Sequence, residues 1–171
     1  MTVRTGCEAD TRALAAAFAE IVEPGDVVVL DGPVGAGKTV FVRGLCEALE
    51  VPRSAGVSSP SYALVHLYDG GRLALAHLDL YRLEGDDELE ALGFRDLLEA
   101  DRVVLVEWPG QAPSVREVAT FEVTLQDDGP QNRTITIRAC PPETPETLNP
   151  LRGWSPPSSL EPGRPQKTAP R

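Results

Sequence analysis

The hydrophobic pattern of this chain alternates between short apolar runs and segments with helical periodicity. Residues 27–30 and 103–106 are uninterrupted runs of Val and Leu, which are typical of strands buried on both faces of a sheet. Residues 8–22 and 40–49 repeat apolar side chains every three to four positions, and this spacing predicts two amphipathic helices. A thinner leucine stripe on the acidic residues 83–98 predicts a third helix. Strands that alternate with helices indicate an α/β domain.

Two further pairs of strands are joined by turn sequences. Residues 62–80 contain two strand-like segments on either side of the turn at 69–71, Asp-Gly-Gly. Residues 120–139 alternate apolar and polar positions around a second turn at 127–130, Asp-Asp-Gly-Pro. Each arrangement predicts a β-hairpin, so the sheet is expected to be mixed and to include antiparallel hairpins.

The pattern ends near residue 140. Residues 141–171 hold nine of the 16 prolines and have little apolar periodicity. This composition predicts a disordered, Pro-rich C-terminal tail that follows a single folded domain of residues 1–140. Trp154 is the one large apolar side chain of the tail, and the pattern assigns it no role.

A glycine-rich segment lies between the first apolar run and the helix that follows it. Residues 32–39 read Gly-Pro-Val-Gly-Ala-Gly-Lys-Thr, which is the spacing of a phosphate-binding loop. A loop between a strand and a helix directs backbone N–H groups and the positive helix end at one point, which suits a phosphate. Lys38 is expected to contact the outer phosphates, and the Thr39 hydroxyl is expected to ligate Mg²⁺. We therefore predict a three-layer P-loop NTPase fold.

The use of lysine supports the assignment of the loop. The chain has two lysines, Lys38 and Lys167, against 14 arginines. The single lysine of the predicted domain stands at the phosphate position, where a compact point charge is favoured and arginine is not equivalent.

Two acidic residues follow predicted strands directly. Asp79 ends the second strand of the first hairpin, and Glu107 ends the run at 103–106. Acids at strand ends lie where open α/β sheets bind ligands, so both are candidate magnesium carboxylates, and Glu107 is also a candidate base for an attacking water. The sequence leaves open which of the two contacts the metal directly. Ser61 is a candidate for the third phosphate, and Trp108 either stacks on a ligand or partner or packs in the core.

Charge and cysteine content indicate which binding partners and which cellular compartment are expected. The net charge is −10, and residues 141–171 contribute about +1, so the predicted domain is expected to avoid direct contact with nucleic acid through a broad basic surface. Cys7, Cys46 and Cys140 show no metal-ligand spacing, which favours a reducing, cytoplasmic compartment. We expect neither a signal peptide nor a membrane span, because the N-terminal residues lack an apolar core and no apolar run is long enough to cross a membrane.

Five sequence blocks occur in an order that resembles the TsaE family (formerly YjeE), bacterial P-loop ATPases of tRNA threonylcarbamoyladenosine biosynthesis. The resemblance spans about residues 11–138. Its most specific parts are the Asp-Leu-Tyr-Arg and Glu-Trp-Pro sequences. The blocks are Gly-Pro-Val-Gly-Ala-Gly-Lys-Thr (32–39), Ser-Pro-Ser-Tyr (59–62), His-Leu-Asp-Leu-Tyr-Arg (77–82), Glu-Leu-Glu-Ala-Leu-Gly (88–93) and Val-Glu-Trp-Pro (106–109).

The resemblance implies ATP and Mg²⁺ as ligands, and a low, partner-dependent ATPase activity. It also implies work beside the proteins TsaD and TsaB, which modify the adenosine next to certain tRNA anticodons, with tRNA contacted only through the complex. Lys38 and Glu107 take catalytic roles, and Thr39, Asp79 and Glu107 take metal roles. The expected ATP-binding residues are Thr11, Gly32, Pro33, Val34, Gly35, Ala36, Gly37, Lys38, Thr39, Val40, Ser61, Trp108 and Arg133. Three of these depart from the usual family residues, namely Val34, Val40 and Ser61, and Ser61 keeps a hydroxyl.

Two other functions are compatible with the loop. A small-molecule P-loop kinase needs an acceptor pocket and usually an arginine-rich lid, whereas residues 86–100 are mostly acidic and contain Arg95 alone. A nucleotide switch without hydrolysis is disfavoured by the presence of both Asp79 and Glu107.

Overall fold

A computed structural model describes residues 1–141 and 144–160 of the chain. No helix in these residues is long and apolar enough to cross a membrane. The helices are α1 (Glu8–Phe18), α2 (Lys38–Ala48), α3 (Asp86–Ala91) and α4 (Phe94–Glu99). The strands are β1 (Thr2–Thr5), β2 (Val27–Asp31), β3 (Val65–Tyr68), β4 (Leu75–Asp79), β5 (Val103–Glu107), β6 (Phe121–Asp127) and β7 (Arg133–Ala139). Short 3-10 helices lie at Arg53–Ala55, Pro109–Gln111, Pro113–Glu117, Pro145–Leu151 and Pro157–Leu160.

The strands form one mixed sheet in the order β1-β7-β6-β2-β5-β4-β3. The four inner strands β6, β2, β5 and β4 are parallel, and β3 and β7 add antiparallel hairpin partners on either side. The predicted mixed sheet with two hairpins is therefore confirmed. The strand that precedes the glycine-rich loop, β2, occupies the centre of the sheet.

The sheet separates two apolar layers, as the three-layer prediction requires. Alternate residues of β2 point to opposite faces, so that Val28 and Leu30 pack with α1 and α2 while Val27 and Val29 pack with α3 and α4. On the first face the ring of Phe18 lies 5.8 Å from the ring of Phe41 on α2 and 5.2 Å from the ring of Phe121 on β6, between ring centroids.

Two helical predictions differ from the structure. The segment 83–98 forms two helices because Gly93 adopts a left-handed conformation, with φ of 76°, and ends the first of them. The first helix ends at Phe18 rather than at residue 22. The sequence also gave no indication of β1, a four-residue strand that exists through its pairing with β7.

The C-terminal segment differs most from its prediction. Residues 144–160, which we call the C-terminal strap, were expected to be disordered, yet they form two 3-10 helices. Leu148 and Leu151 are buried in the first core layer and Trp154 packs against it. Leu148 and Leu151 are three residues apart, which is the repeat of a 3-10 helix and places both on one face of the helix Pro145–Leu151, whereas Trp154 follows after that helix ends. The part of the predicted tail at residues 142–143 and 161–171 lies outside the described residues.

The strap ends against the first turn of α1. Asp10 is 1% exposed, and it accepts hydrogen bonds from the backbone N–H groups of Gly6 and Ser158 at 2.9 and 3.1 Å and from the Ser158 hydroxyl. Burial alone would raise the pKa of Asp10, but the hydrogen bonds from Ser158 and Gly6 outweigh it and the pKa is lowered. The strap is thus fastened to the domain by a charge-assisted contact.

Replacement of Ser158 by alanine is expected to lower the free energy of unfolding by about 1–2 kcal/mol, because a buried carboxylate loses a donor. A carboxyl group with a lowered folded-state pKa stabilises the fold above its ordinary pKa of 3.8, and that stabilisation is lost as the pH falls through the folded-state value. The difference between wild type and variant should therefore shrink in acid. Urea denaturation at pH 7 and at pH 3 measures it, with the exposed Ser155→Ala as the control.

Candidate functional site

The loop of residues 32–39 connects β2 to α2 in the geometry that the sequence predicted. Gly37 has φ of 101° and begins α2, so the loop turns sharply into the helix. Gly32 has φ of 147°, and a Cβ atom there would lie 2.3 Å from the backbone oxygen of Leu125. A larger residue at this position would push the loop away from β6, so glycine is required where the loop leaves the sheet.

Lys38 lies at the N-terminus of α2 and is almost fully buried. Its Nζ donates to the carbonyl oxygens of Gly32 and Pro33 at 2.7 and 3.1 Å, and it stands 3.6 Å from the centre of the Trp108 ring. Burial lowers the pKa of Lys38, and the carboxylates of Glu107 and Asp79 offset part of that effect. The ammonium is thus held over the loop that is expected to receive phosphate.

Thr39, Glu107 and His77 form a row of hydrogen-bonded side chains across the sheet edge. The Thr39 hydroxyl donates to Oε1 of Glu107 at 2.9 Å, and Nε2 of His77 lies 3.0 Å from the same oxygen. Glu107 and His77 are 2% and 0% exposed. Because the Thr39 hydroxyl donates its hydrogen bond to Glu107, the lone pairs of the Thr39 oxygen remain available to a cation.

Asp79 lies beside Glu107 because β4 and β5 pair in parallel with these two residues in register. Its carboxylate accepts hydrogen bonds from the Ser59 hydroxyl and from the backbone N–H of Tyr81, the latter at 3.0 Å. Glu107, and not Asp79, contacts Thr39 directly. The two acids meet at one edge as predicted, but they are held by different neighbours.

Trp108 adopts a backbone conformation that is unusual for a large side chain. Its φ is 63°, and its ring lies 4.9 Å from the ring of Tyr81 and over the Lys38 ammonium. Strain of this kind is commonly found at functional sites. The ring packs on its neighbours, as one of the two sequence interpretations expects, and it lines the cleft around Lys38. Stacking of Trp108 on a ligand or partner stays a prediction.

Arg133 fastens the loop to the second hairpin. Its Nε and Nη2 donate to the carbonyl oxygens of Ala36 and Gly35 at 3.0 and 3.1 Å, and its Nη1 donates to backbone oxygens of its own hairpin. Thr11 lies on the facing helix, where its hydroxyl pairs with that of Thr5 at 3.2 Å. Both residues contribute to the wall of one pocket.

The residues predicted for the site are brought together around two adjoining clefts. A cleft of about 440 Å³ is lined by acids, hydroxyls and the catalytic candidates, and one of about 560 Å³ adjoins it across Gly35, Gly37 and Val40. Gly32 and Pro33 line neither cleft, but their carbonyl oxygens accept hydrogen bonds from Lys38. The first cleft contains the predicted residues Val34, Gly35, Gly37, Lys38, Thr39, Val40, Ser61, Asp79, Glu107 and Trp108, and the second contains Thr11, Gly35, Ala36, Gly37, Val40 and Arg133.

Three residues of the site were missed by reasoning from the sequence. Ser59 and Tyr81 hold Asp79, and His77 contacts Glu107. For His77 a signal was present, because it stands two residues before Asp79 on one strand and so lies on the same face of the sheet. Ser59 gave no comparable signal, since its partner comes from another part of the chain.

The donor set suits a magnesium ion that is bound together with a nucleotide. Among the described residues, no three acidic, histidine or cysteine side chains form a cluster that could hold a metal by themselves. Magnesium usually keeps several waters and binds through one or two carboxylates and substrate phosphates. The Thr39 oxygen and the Glu107 carboxylate beside a phosphate loop fit that requirement.

Comparison with known proteins identifies relatives over most of the chain. A model of the family described as threonylcarbamoyl adenosine biosynthesis protein TsaE matches residues 5–135. A tRNA threonylcarbamoyladenosine biosynthesis protein TsaE from Bacillus subtilis is 36% identical over 80% of this chain and 84% of its own length. The protein of the same name from Treponema pallidum is 33% identical over 75% of this chain and 93% of its own.

The fold supports the same relationship. A crystal structure of YdiB from Bacillus subtilis superposes with a TM-score of 0.69 at 28% identity, covering 88% of this chain and 93% of the other. The residues matched by the family model, 5–135, include the glycine-rich loop, both strand-end acids, the first hairpin and β6. The chain therefore belongs to the TsaE family of threonylcarbamoyl adenosine biosynthesis proteins.

Proposed function

We propose that this protein binds ATP with Mg²⁺ and hydrolyses it in support of tRNA threonylcarbamoyladenosine biosynthesis. The observation that carries the proposal is the bond between Thr39 and Glu107 beside the buried Lys38, at the end of a phosphate loop. The relatives named above are tRNA threonylcarbamoyladenosine biosynthesis proteins, which supports the pathway.

The residues of the first cleft have different roles in binding the phosphates. Lys38 supplies a positive charge that is already desolvated, and therefore interacts more strongly with phosphate oxygens than an exposed lysine does. The loop N–H groups and the N-terminus of α2 add to this attraction. When bound, Mg²⁺ neutralises charge on the phosphate oxygens, and Thr39 and Glu107 are the residues that would hold it.

Glu107 is the better placed of the two acids for the direct metal or base role. It contacts Thr39, whereas both carboxylate oxygens of Asp79 already accept hydrogen bonds from Ser59 and Tyr81. We assign Asp79 an indirect role, in which it contacts the metal through a water molecule and holds the loop that contains Ser59.

Partner proteins fit the charge of the molecule. The chain carries a net charge of −10, which disfavours direct binding to a polyanion such as tRNA. TsaD and TsaB, which the family resemblance implies as partners, would hold the tRNA, and this protein would act on them through its nucleotide state. A low ATPase activity of the isolated chain is the expected consequence.

The kinase alternative receives no comparable support. Arg95, the one arginine of the acidic helical segment, pairs with Glu90 at 2.8 Å on the surface and is not directed at the clefts. The names of the relatives also favour the tRNA pathway.

The proposal is tested by measuring ATP turnover and complex formation with purified components. We expect slow hydrolysis by the protein alone, Mg²⁺ dependence, and a complex with TsaB–TsaD that forms with ATP and not without nucleotide. Size-exclusion chromatography and phosphate release report the two properties. Efficient transfer of the terminal phosphate to a metabolite would contradict the proposal and favour the kinase.

A further inference from the structure

His77 is a fully buried histidine that the proposed reaction does not yet use. It lies on β4, with 0% exposure, and its Nε2 is 3.0 Å from Oε1 of Glu107. Its other ring nitrogen, Nδ1, has no hydrogen-bond partner among the described residues. A buried polar ring with one partner calls for an explanation, because burial of unpaired polar atoms is costly.

The direction of the contact follows from the chemistry of its two groups. A carboxylate can only accept, so Nε2 of His77 carries the proton and donates it to Glu107. Nδ1 then holds a lone pair in the neutral ring. An unpaired lone pair is less costly than an unpaired N–H, so the geometry is that of the Nε2–H tautomer.

This contact fixes the Glu107 carboxylate. Oε1 accepts from both the Thr39 hydroxyl and Nε2 of His77. No described residue donates to Oε2. A carboxylate with one oxygen bonded twice has lost its freedom to rotate, and the other oxygen is left for a ligand.

We propose that His77 is a positioning residue, which orients Glu107 so that Oε1 is occupied by Thr39 and His77 and Oε2 serves the bound metal or the attacking water. His77 does not touch the substrate itself. The inference rests on the proposed function, because it assumes that Glu107 binds the metal or acts as the base when a nucleotide is bound.

Kinetics of His77→Leu and His77→Gln test the role, because only glutamine can place an N–H near the position of Nε2. Loss of a hydrogen bond to a charged group should slow ATP hydrolysis by His77→Leu about 10- to 100-fold. We expect ATP affinity to stay within about threefold, and His77→Gln to recover most of the rate, because orientation and not binding is affected. His66→Gln, on the neighbouring strand directly opposite His77, is the matched control and should keep the wild-type rate.

Ring-nitrogen NMR provides a readout that does not depend on turnover. The chain has two histidines, so His66→Gln leaves a single imidazole whose signals need no further assignment. We expect the Nε2–H pattern for His77, and a shift of its signals in Glu107→Ala that is absent in Glu122→Gln. Absence of ATP hydrolysis by the wild type would contradict the proposed function. The ring-nitrogen signals would still show whether His77 donates a hydrogen bond to Glu107.

Two results would overturn the inference. One is an Nδ1–H tautomer, or ring signals that do not respond to Glu107→Ala. The other is a folded His77→Gln variant that is as slow as His77→Leu, because packing alone would then account for the residue. Thermal denaturation of each variant shows whether it is folded.

Discussion

Lys38→Met is expected to weaken nucleotide binding severely while the protein remains folded. The variant keeps the length of the buried side chain but loses the charge that faces the phosphate loop. Removal of one partner of a desolvated charge pair commonly costs about 3–5 kcal/mol, so ATP affinity should fall by about two to four orders of magnitude. Calorimetric titration with ATP measures this directly.

The same variant should be at least as stable as the wild type without nucleotide. The pKa of Lys38 is lowered, chiefly by burial, which means that the charged form is less favourable in the folded protein than in the unfolded chain. For such a group the cost is present in full below the folded-state pKa and disappears as the pH rises above the ordinary value of 10.5. The stability advantage of Lys38→Met should therefore be present at pH 7 and fade in strong alkali.

The second lysine of the chain offers a matched control. Lys167→Met removes the same group at a position outside the described residues, and it should leave ATP binding unchanged. Lys38→Arg keeps the charge but not the compact ammonium, so we expect weak binding from it as well. Wild-type affinity in Lys38→Met, or normal levels of threonylcarbamoyladenosine in a depletion strain that carries only this variant, would show that the loop is not the site.

The parts of the fold that the sequence predicted are those specified by local signals. The apolar run of β2 and the Gly-Lys-Thr loop after it identify a central strand and its phosphate turn without knowledge of any other segment. The hairpins are marked by Asp-Gly sequences between alternating strands. By contrast β1 is too short to show a pattern, and it becomes a strand only by pairing with β7.

The strap shows why composition alone was insufficient. Its prolines predict disorder, but Leu148 and Leu151 lie one 3-10 turn apart and are buried in the core, and Trp154 packs against that core after the helix ends. Likewise, the strand-end positions of Asp79 and Glu107 predicted that they would meet, while their partners Ser59 and His77 could not be assigned without the sheet order. Long-range contacts of this kind depend on which strands are neighbours, and that information is not local.

Glu107→Gln is expected to separate ATP binding from ATP hydrolysis. An amide of the same shape can still accept hydrogen bonds from Thr39 and His77 through its oxygen, so the local structure should be retained. The amide cannot act as a base, and it has no negative charge to attract the metal ion. Since general base catalysis contributes about 10²- to 10⁴-fold, hydrolysis should fall by at least about 100-fold while ATP affinity changes by only about threefold.

The consequence for the pathway follows from the same argument. A variant that binds ATP and cannot consume it should form the ATP-dependent complex with TsaB–TsaD but fail to release it, and should not sustain tRNA modification in a depletion strain. Glu122→Gln, a strand glutamate that pairs with Arg116 away from both clefts, is the control and should hydrolyse ATP normally. Normal turnover by Glu107→Gln would transfer the base role to Asp79, the acid beside it in register, because that is the remaining carboxylate of the first cleft.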